Sequence, residues 1–189
     1  MSRFVGNHFS LYHKVKISSY DLNFSQEELN EFADEALRLG DVQNKKTNVK
    51  ADMSYWFLWE HTSVYNKLLN QIVDLVNNDV PWMLKDFKKD FSKFIISTAW
   101  VASYGKGDYT LSHNHGPEAW ASFVFFIKGT EEDSPLVFDT QPPHLELPIP
   151  NKLMIFPSQI FHRVPESLSE NKRIVLAGNI VYRQVENDE

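Results

Sequence analysis

The chain has 189 residues, enough to bury a core in one domain, and its 14 Phe, 7 Tyr and 5 Trp supply bulky side chains for that core. Its formal net charge of −6, with lysines scattered among acids, argues against a nucleic-acid groove, because phosphate binding requires clustered positive charge. Cysteine is absent, which excludes disulfides and thiolate metal sites, so any metal must be held by His, Asp or Glu.

The sequence shows no pattern of a signal peptide or of a membrane-spanning segment. The first seven residues lack the apolar core of a signal peptide. No apolar run approaches the roughly 20 residues needed to cross a bilayer, and the longest candidate, residues 123–127, has the length of a strand. We therefore expect a soluble cytoplasmic protein that binds neither nucleic acid nor membrane. The basic residues at 45–46 and 85–93 are interpreted as solvated surface.

The first half of the chain has the periodicity of helices. Ser25 and Glu28 form a capping-box pattern, and an apolar face at helical spacing follows until Gly40. That face consists of Leu29, Phe32, Ala33, Ala36 and Leu37. A second helix is predicted over residues 63–77, before Pro81. Its inward face consists of Leu68, Leu69, Ile72, Leu75 and Val76. Each helix has one apolar face, so we expect both to cover one side of a sheet.

From Phe94 onward the apolar period changes to two, which is the period of a strand. A long strand is predicted up to a turn at residues 105–108. Further strands are predicted over residues 120–127, 135–138, 152–156 and 173–182. Polar or Pro-rich turns separate them, which favours an antiparallel jelly roll over a parallel sheet. We predict a mainly β protein with N-terminal helices, a cupin-like double-stranded β-helix.

The expected domain organisation is one domain over residues 1–189. Residues 1–93 are predicted to be a helical support region, and residues 94–182 a jelly-roll core that carries a metal site. The last residues, 185–189, are predicted to be a frayed acidic tail.

Three histidines give the strongest chemical signal in the sequence. His113 and His115 occupy positions i and i+2 of a strand or strand end, so their rings lie on one side of the sheet and can converge on one metal ion. His162, far downstream, would complete one face of ligands. Three ligands on one face leave the opposite face of an octahedral iron open for substrate and oxygen. Arg173 then offers a planar fork of donors suited to a carboxylate, unless it forms a salt bridge to an acid such as Asp139.

Two segments resemble the iron(II)- and 2-oxoglutarate-dependent oxygenases. Residues 104–115 are similar to the region around that family's first two metal ligands, and residues 151–165, with the run Phe156-Pro157-Ser158, are similar to its third-ligand strand. Residues 173–179 fall where the family places its 2-oxoglutarate arginine. The resemblance covers residues 94–182. It implies that His113 and His162 bind Fe(II) and that Arg173 binds the far carboxylate of 2-oxoglutarate.

The second metal position departs from the family's pattern. The usual motif is His-x-Asp/Glu, whereas this chain has His115, so three neutral imidazoles would hold the metal. Similar His-x-His motifs followed by Phe-Pro-Ser are found in small members of the superfamily. If His115 does not bind the metal, Asp108 or Glu118 could supply a carboxylate after a loop rearrangement.

The position expected to help bind 2-oxoglutarate also departs from the family's pattern. Many members carry Ser two residues after the arginine, where this chain has Val175. Tyr104 and Tyr109, which precede the first metal histidine, are the candidates for the missing donor. Asn179 shares a strand face with Arg173 by the period of two, and is a further candidate at the cofactor site or a polar group of the core.

The resemblance implies an enzyme, a 2-oxoglutarate-dependent non-haem iron dioxygenase. It would use O2 to hydroxylate a small-molecule or peptide substrate, with release of succinate and CO2. Residues 41–51 and 141–144 are the candidate substrate covers.

Two alternatives remain at the level of sequence. A cupin-like metal-binding protein or dioxygenase without 2-oxoglutarate is favoured by Gly107 and Pro157, which stand at cupin distances from the histidines, but Gln159 replaces a cupin glycine. Arg173 favours the oxygenase. A metal-free binding or structural jelly roll is the other alternative.

Overall fold

The structure is a computed structural model that describes residues 6–11, 15–42, 48–80 and 92–184. Several features singled out in the sequence lie outside the described residues. They are Lys45 and Lys46, Pro81, the lysines at positions 85, 88 and 89, and the predicted tail at 185–189.

Two α-helices lie close to the predicted positions. Helix α1 spans Gln26–Leu39 and begins with the predicted capping box, in which the Glu28 N–H donates to Ser25 Oγ and the Ser25 N–H donates to Glu28 Oε2. Helix α2 spans Asn66–Asn78, with the five predicted inward residues all buried, and begins three residues later than predicted. The assignment of Leu37 to the buried face was wrong, since 47% of it is exposed. A short 3-10 helix spans Leu58–Glu60.

The strands of the described residues form two antiparallel sheets. The larger sheet contains, in spatial order, β1 (Gly6–Leu11), β2 (Val15–Asp21), β10 (Lys152–Pro157), β7 (Ala121–Lys128), β12 (Arg173–Gln184), β5 (Ser92–Tyr104) and β4 (Asp52–Met53). The smaller sheet contains β3 (Val49–Lys50), β6 (Tyr109–His113), β11 (His162–Val164), β8 (Leu136–Phe138) and β9 (His144–Glu146).

The two faces of the larger sheet bury different cores. One face packs against α1 and α2, through residues such as Phe32, Leu68 and Leu176. The other face packs against the smaller sheet, through residues such as Phe126 and Phe138. The alternation of β12 divides its side chains between these cores, and it turns Arg173 and Val175 toward the space between the sheets.

The part of the chain before residue 94 also supplies strands, which corrects its description as a helical support region. Strand β2 lies between β1 and β10 in the larger sheet, and β4 pairs with the edge of β5. In the smaller sheet, β3 pairs with β6. The prediction of one domain over residues 1–189 stays a prediction.

None of the helices in the described ranges is long and apolar enough to cross a membrane.

Candidate metal and carboxylate site

The two sheets bring the three predicted histidines together. His113 ends β6 and His162 begins β11, and the two residues are direct partners in the antiparallel register. His115 follows in the loop, where its N–H donates to the Ser158 carbonyl at 2.8 Å. The ring centroids are 4.4 to 5.3 Å apart, and one ligand nitrogen from each ring lies within 4.8 Å of the others. The cluster can therefore offer three imidazoles to one metal ion.

Backbone carbonyls orient two of the rings. His113 Nδ1 lies 2.9 Å from the Leu111 carbonyl, and His162 Nδ1 lies 3.0 Å from the Ile160 carbonyl. Because a carbonyl only accepts, each Nδ1 carries the proton, and each Nε2 keeps its lone pair for a metal.

Burial keeps the cluster neutral near pH 7. Desolvation lowers the pKa of His113, and it lowers the pKa of His115 to about 4 with a further contribution from nearby His113. The pKa of His162 falls to about 3, chiefly by burial and then by repulsion from His113. Neutral imidazole is the form that binds a metal, so no ligand has to lose a proton first.

The carboxylates that could have replaced His115 do not reach the cluster. Asp108 accepts a hydrogen bond from the Gly105 N–H at 2.8 Å and closes the turn after β5. Glu118 is exposed. Within the described residues, the group of metal-binding side chains around this point consists of the three histidines alone.

Arg173 lies in the same cavity as the histidines, whose volume is about 280 Å³. Its side chain is 2% exposed, and its Nε and Nη1 atoms have no hydrogen-bond partner. The guanidinium carbon lies 4.8 Å from the Tyr104 ring centroid and 5.5 Å from that of Phe126. Burial lowers the pKa of Arg173, and Tyr104 partly offsets this effect. A buried cation with unpaired donors calls for an acceptor of opposite charge in the cavity.

The alternative salt bridge to Asp139 is not formed. Asp139 accepts instead from Arg163 Nε at 2.9 Å and from the Ser112 hydroxyl. Both unpaired donors of Arg173 therefore remain available to a ligand.

The other three predicted cofactor residues differ in their positions. Tyr104 lines the cavity, and its hydroxyl lies 2.9 Å from Thr110 Oγ1. Tyr109 and Asn179 are not among the lining residues. Asn179 Oδ1 accepts from the Ser122 hydroxyl at 2.9 Å, and its Nδ2 donates to Thr98 Oγ1 at 3.1 Å, so Asn179 cross-links the sheet.

Several lining residues were missed by the sequence analysis. Thr110 adds a hydroxyl near Tyr104, and Trp56 and Trp100 form an aromatic wall, with ring centroids 4.6 Å apart. The available signal for Trp56 was the aromatic-rich run at residues 55–59, which has neither helical nor strand periodicity.

The two candidate substrate covers differ in whether they line the cavity. Asn48 and Val49 line the cavity, whereas residues 43–47 lie outside the described part of the chain. None of residues 141–144 lines it.

Comparison with protein-family models and with curated proteins gives no match. Solved structures do match. The Pseudomonas putida prolyl-4-hydroxylase is 14% identical with a TM-score of 0.65, covering 90% of this chain and 92% of that one. A collagen prolyl hydroxylase of Paramecium Bursaria Chlorella virus-1, in complex with 2OG, is 14% identical with a TM-score of 0.64, covering 87% and 94%. HygX from Streptomyces hygroscopicus, with nickel, 2-oxoglutarate and hygromycin B bound, is 10% identical with a TM-score of 0.62, covering 87% and 82%.

These similarities establish the fold. The chain is a double-stranded β-helix of the jelly-roll kind, as the sequence predicted, and its structural neighbours come from the oxygenases that its motifs resemble.

Proposed function

We propose that the protein is an Fe(II)- and 2-oxoglutarate-dependent dioxygenase. The observation that carries this proposal is the buried guanidinium of Arg173, whose Nε and Nη1 are unpaired, in one cavity with three neutral histidines. 2-Oxoglutarate has one carboxylate that needs a cationic partner, and its other end chelates a metal. Arg173 suits the carboxylate, and the histidines suit the metal.

The residues present fit both groups. His113, His115 and His162 would hold Fe(II), since each is neutral and two have Nε2 left free by their backbone contacts. Arg173 would hold the distal carboxylate of 2-oxoglutarate. Fe(II) and 2-oxoglutarate, when bound, supply the oxidising chemistry by which O2 yields succinate, CO2 and a hydroxylated substrate.

The protein's own groups would position and shield these reactants. The Tyr104 ring lies against the guanidinium of Arg173, and its hydroxyl is held by Thr110, so this end of the cavity is rigid. Val175 adds an apolar wall where a hydroxyl is common in the family, which leaves Arg173, Tyr104 and Thr110 to supply the donors around a bound carboxylate. The Leu111 and Ile160 carbonyls would fix the ligand rings.

A cupin-like metal protein without 2-oxoglutarate leaves Arg173 unexplained. Such a protein needs the histidines, but it has no use for a fully buried cation beside them. A metal-free jelly roll leaves both the histidine cluster and Arg173 unexplained.

The substrate is proposed to be a small molecule in preference to a peptide. The structural neighbours include collagen prolyl hydroxylases and a complex with hygromycin B, so the fold accommodates either class. The volume of the cavity, about 280 Å³, lies just below the range of about 300–1,000 Å³ that is usual for ligand pockets. The cytoplasmic location stays a prediction.

The proposal can be tested by anaerobic titration with Fe(II) and then 2-oxoglutarate, with the visible metal-to-ligand charge-transfer band as the signal. We expect the band in the parent protein and, on admission of O2, formation of succinate. Arg173→Ala should bind Fe(II) but weaken 2-oxoglutarate binding by roughly ten- to a hundredfold, because a hydrogen bond to a charged group is worth about 1.5–3 kcal/mol.

The matched control is Arg38→Ala, since Arg38 lies on the surface of α1 and pairs with Glu35. It should leave both affinities unchanged. Equal 2-oxoglutarate affinity in Arg173→Ala and the parent, with iron still bound, would remove the oxygenase proposal and favour the cupin-like protein.

A further inference from the structure

The cavity has two ends of different chemistry. Arg173 pairs with Tyr104 at one end of the β12–β5 ladder, and Gly178 pairs with Ala99 five residues further along. At about 3.3 Å per residue, the two ends are separated by roughly 16 Å along the strands. If the first end holds the cosubstrate, the second end is left for the substrate.

We propose that this second end is a subsite for the ring of an uncharged aromatic small molecule, with Trp56 as its wall. The assignment rests on the proposed oxygenase function and names its substrate class. The subsite, called here the tryptophan end, is lined by Trp56, Trp100, Ser122, Ala177 and Gly178.

Charge disfavours ionic substrates at the tryptophan end. Among the described residues that line the cavity, Arg173 is the one charged side chain, and it lies at the opposite end. The described lining offers no carboxylate to pair with a cation, and a substrate anion would compete for Arg173 with the cosubstrate. An uncharged molecule meets neither difficulty.

Hydrogen-bonding capacity argues against a sugar or another polyol. The Ser122 hydroxyl donates to Asn179, and the amide of Asn179 is occupied on both sides by Ser122 and Thr98. The remaining wall is apolar or aromatic. A polyol would lose more hydrogen bonds to water than these walls can replace, whereas an aromatic ring has one or none to lose.

The side chain of Trp56 is exposed, and its backbone is fixed. Its side chain is 42% exposed, although its carbonyl accepts from the Ala99 N–H at 2.9 Å. Next to it, the Ser54 N–H donates to the Val101 carbonyl, and Ser54 Oγ accepts from the Val101 N–H. A large apolar side chain on an anchored backbone at a cavity mouth provides a preorganised stacking surface.

The aromatic wall also lies on the side of the cavity that is close to His115. Trp56 and Trp100 meet edge to face, and the Trp100 ring centroid lies 6.1 Å from that of His115. A ring held against Trp56 would therefore lie near the histidine cluster, with its edge available for oxidation.

The test uses the full chain loaded with Mn(II) and 2-oxoglutarate, with indole as the probe, followed by ligand-observed NMR. We expect indole to bind and its protons to relax faster in the presence of Mn(II), because the probe lies near the metal. Glucose, tryptamine and indole-3-acetate should bind more weakly. Tighter binding of glucose or of a Gly-Pro-Pro repeat peptide would overturn the assignment.

Two tryptophans of the same segment form a matched pair of variants. Trp56→Ala should weaken indole binding about two- to tenfold, the size of a lost aromatic contact. Trp59→Ala should change it less than twofold, since Trp59 is also 40% exposed but does not line the cavity. Equal losses in the two variants would overturn the role of Trp56.

The outcomes separate this proposal from the one on which it rests. Mn(II) and 2-oxoglutarate binding without indole binding would remove the tryptophan end alone. Indole binding that depends on Trp56, without metal or 2-oxoglutarate binding, would remove the oxygenase proposal and keep the aromatic subsite. Trp56→Ala should leave 2-oxoglutarate affinity unchanged, because Trp56 and Arg173 lie at opposite ends.

Discussion

At the scale of single residues, His115 is the main departure from the resembled family. It occupies the position where a carboxylate is usual, and no carboxylate of the described chain joins the cluster in its place. The three imidazoles bring no negative charge to offset a divalent ion, so the metal would retain more positive charge than in a site with one carboxylate.

Substitution of His115 tests whether the third ring is a ligand. His115→Asp restores the usual donor set and should retain Fe(II), whereas His115→Ala should weaken Fe(II) binding by at least tenfold, since even outer partners of ligands contribute about 10–100-fold. Anaerobic calorimetry measures both. His61→Ala is the control, because His61 stacks on Tyr55 outside the cluster. Unchanged affinity in His115→Ala would mean that His115 is not a ligand.

Two tyrosines were equally good candidates for the donor missing at Val175, and the structure separates them. Tyr104 contacts Arg173 and lines the cavity, whereas Tyr109 does not line it. Tyr104→Phe should therefore weaken 2-oxoglutarate binding by roughly two- to tenfold, the range of one neutral hydrogen bond. Tyr109→Phe should have no effect on the same titration. The reverse result would assign the donor to Tyr109.

At the scale of elements, the sequence predicts what depends on local periodicity. The capping box of α1, the inward face of α2 and the long strand β5 all follow from spacing along the chain. Strands β3 and β4 have two residues each, too few to show a period. Strand β2 has the sequence VKISSYD, in which buried serines hide the apolar alternation.

Only those residues of the site that have an informative spacing along the chain could be predicted from the sequence. The three histidines and Arg173 were found because their types and order are informative. Thr110 was missed because the β6–β11 register shifts between His162 and Val164, so Thr110 and His113 both line the cavity at a spacing that a regular strand forbids. Asn179 was assigned by the period of two, which gives the face but not the hydrogen-bond partners.

The packing of strand β12 requires a glycine at position 178, where the strand pairs with Phe123 of β7. A Cβ at Gly178 would lie 2.5 Å from Phe123 Cζ and 2.5 Å from the Thr98 carbonyl oxygen. Gly178→Ala should therefore lower the free energy of unfolding by about 1–3 kcal/mol, the usual cost of overpacking, in urea denaturation. Gly105→Ala is the control, since its nearest neighbour would be Asp108 Oδ2 at 3.6 Å. Equal stability of the two variants would contradict this account.

At the scale of the whole molecule, the partly or fully buried histidines link metal binding to stability. In the metal-free protein the pKa of His162 is about 3 and that of His115 about 4, whereas an unfolded histidine titrates near about 6.5. Between these values the unfolded chain binds more protons than the folded one. Stability should thus be complete above pH 6.5 and fall as the pH drops below it.

The expected slope is up to about 1.4 kcal/mol per pH unit for each histidine that stays neutral when folded. Urea unfolding at pH 7.5, 6.5 and 5.5 in the presence of a chelator measures it, and His162→Gln should reduce it by removing the most buried ring of the cluster. Saturating Zn(II) should raise stability at each pH, because a metal that binds only the folded state stabilises it by mass action. Equal stability of the metal-free protein at pH 5.5 and pH 7.5 would mean that the rings accept protons freely in the folded state. The cluster would then be too open to hold three neutral ligands for a metal.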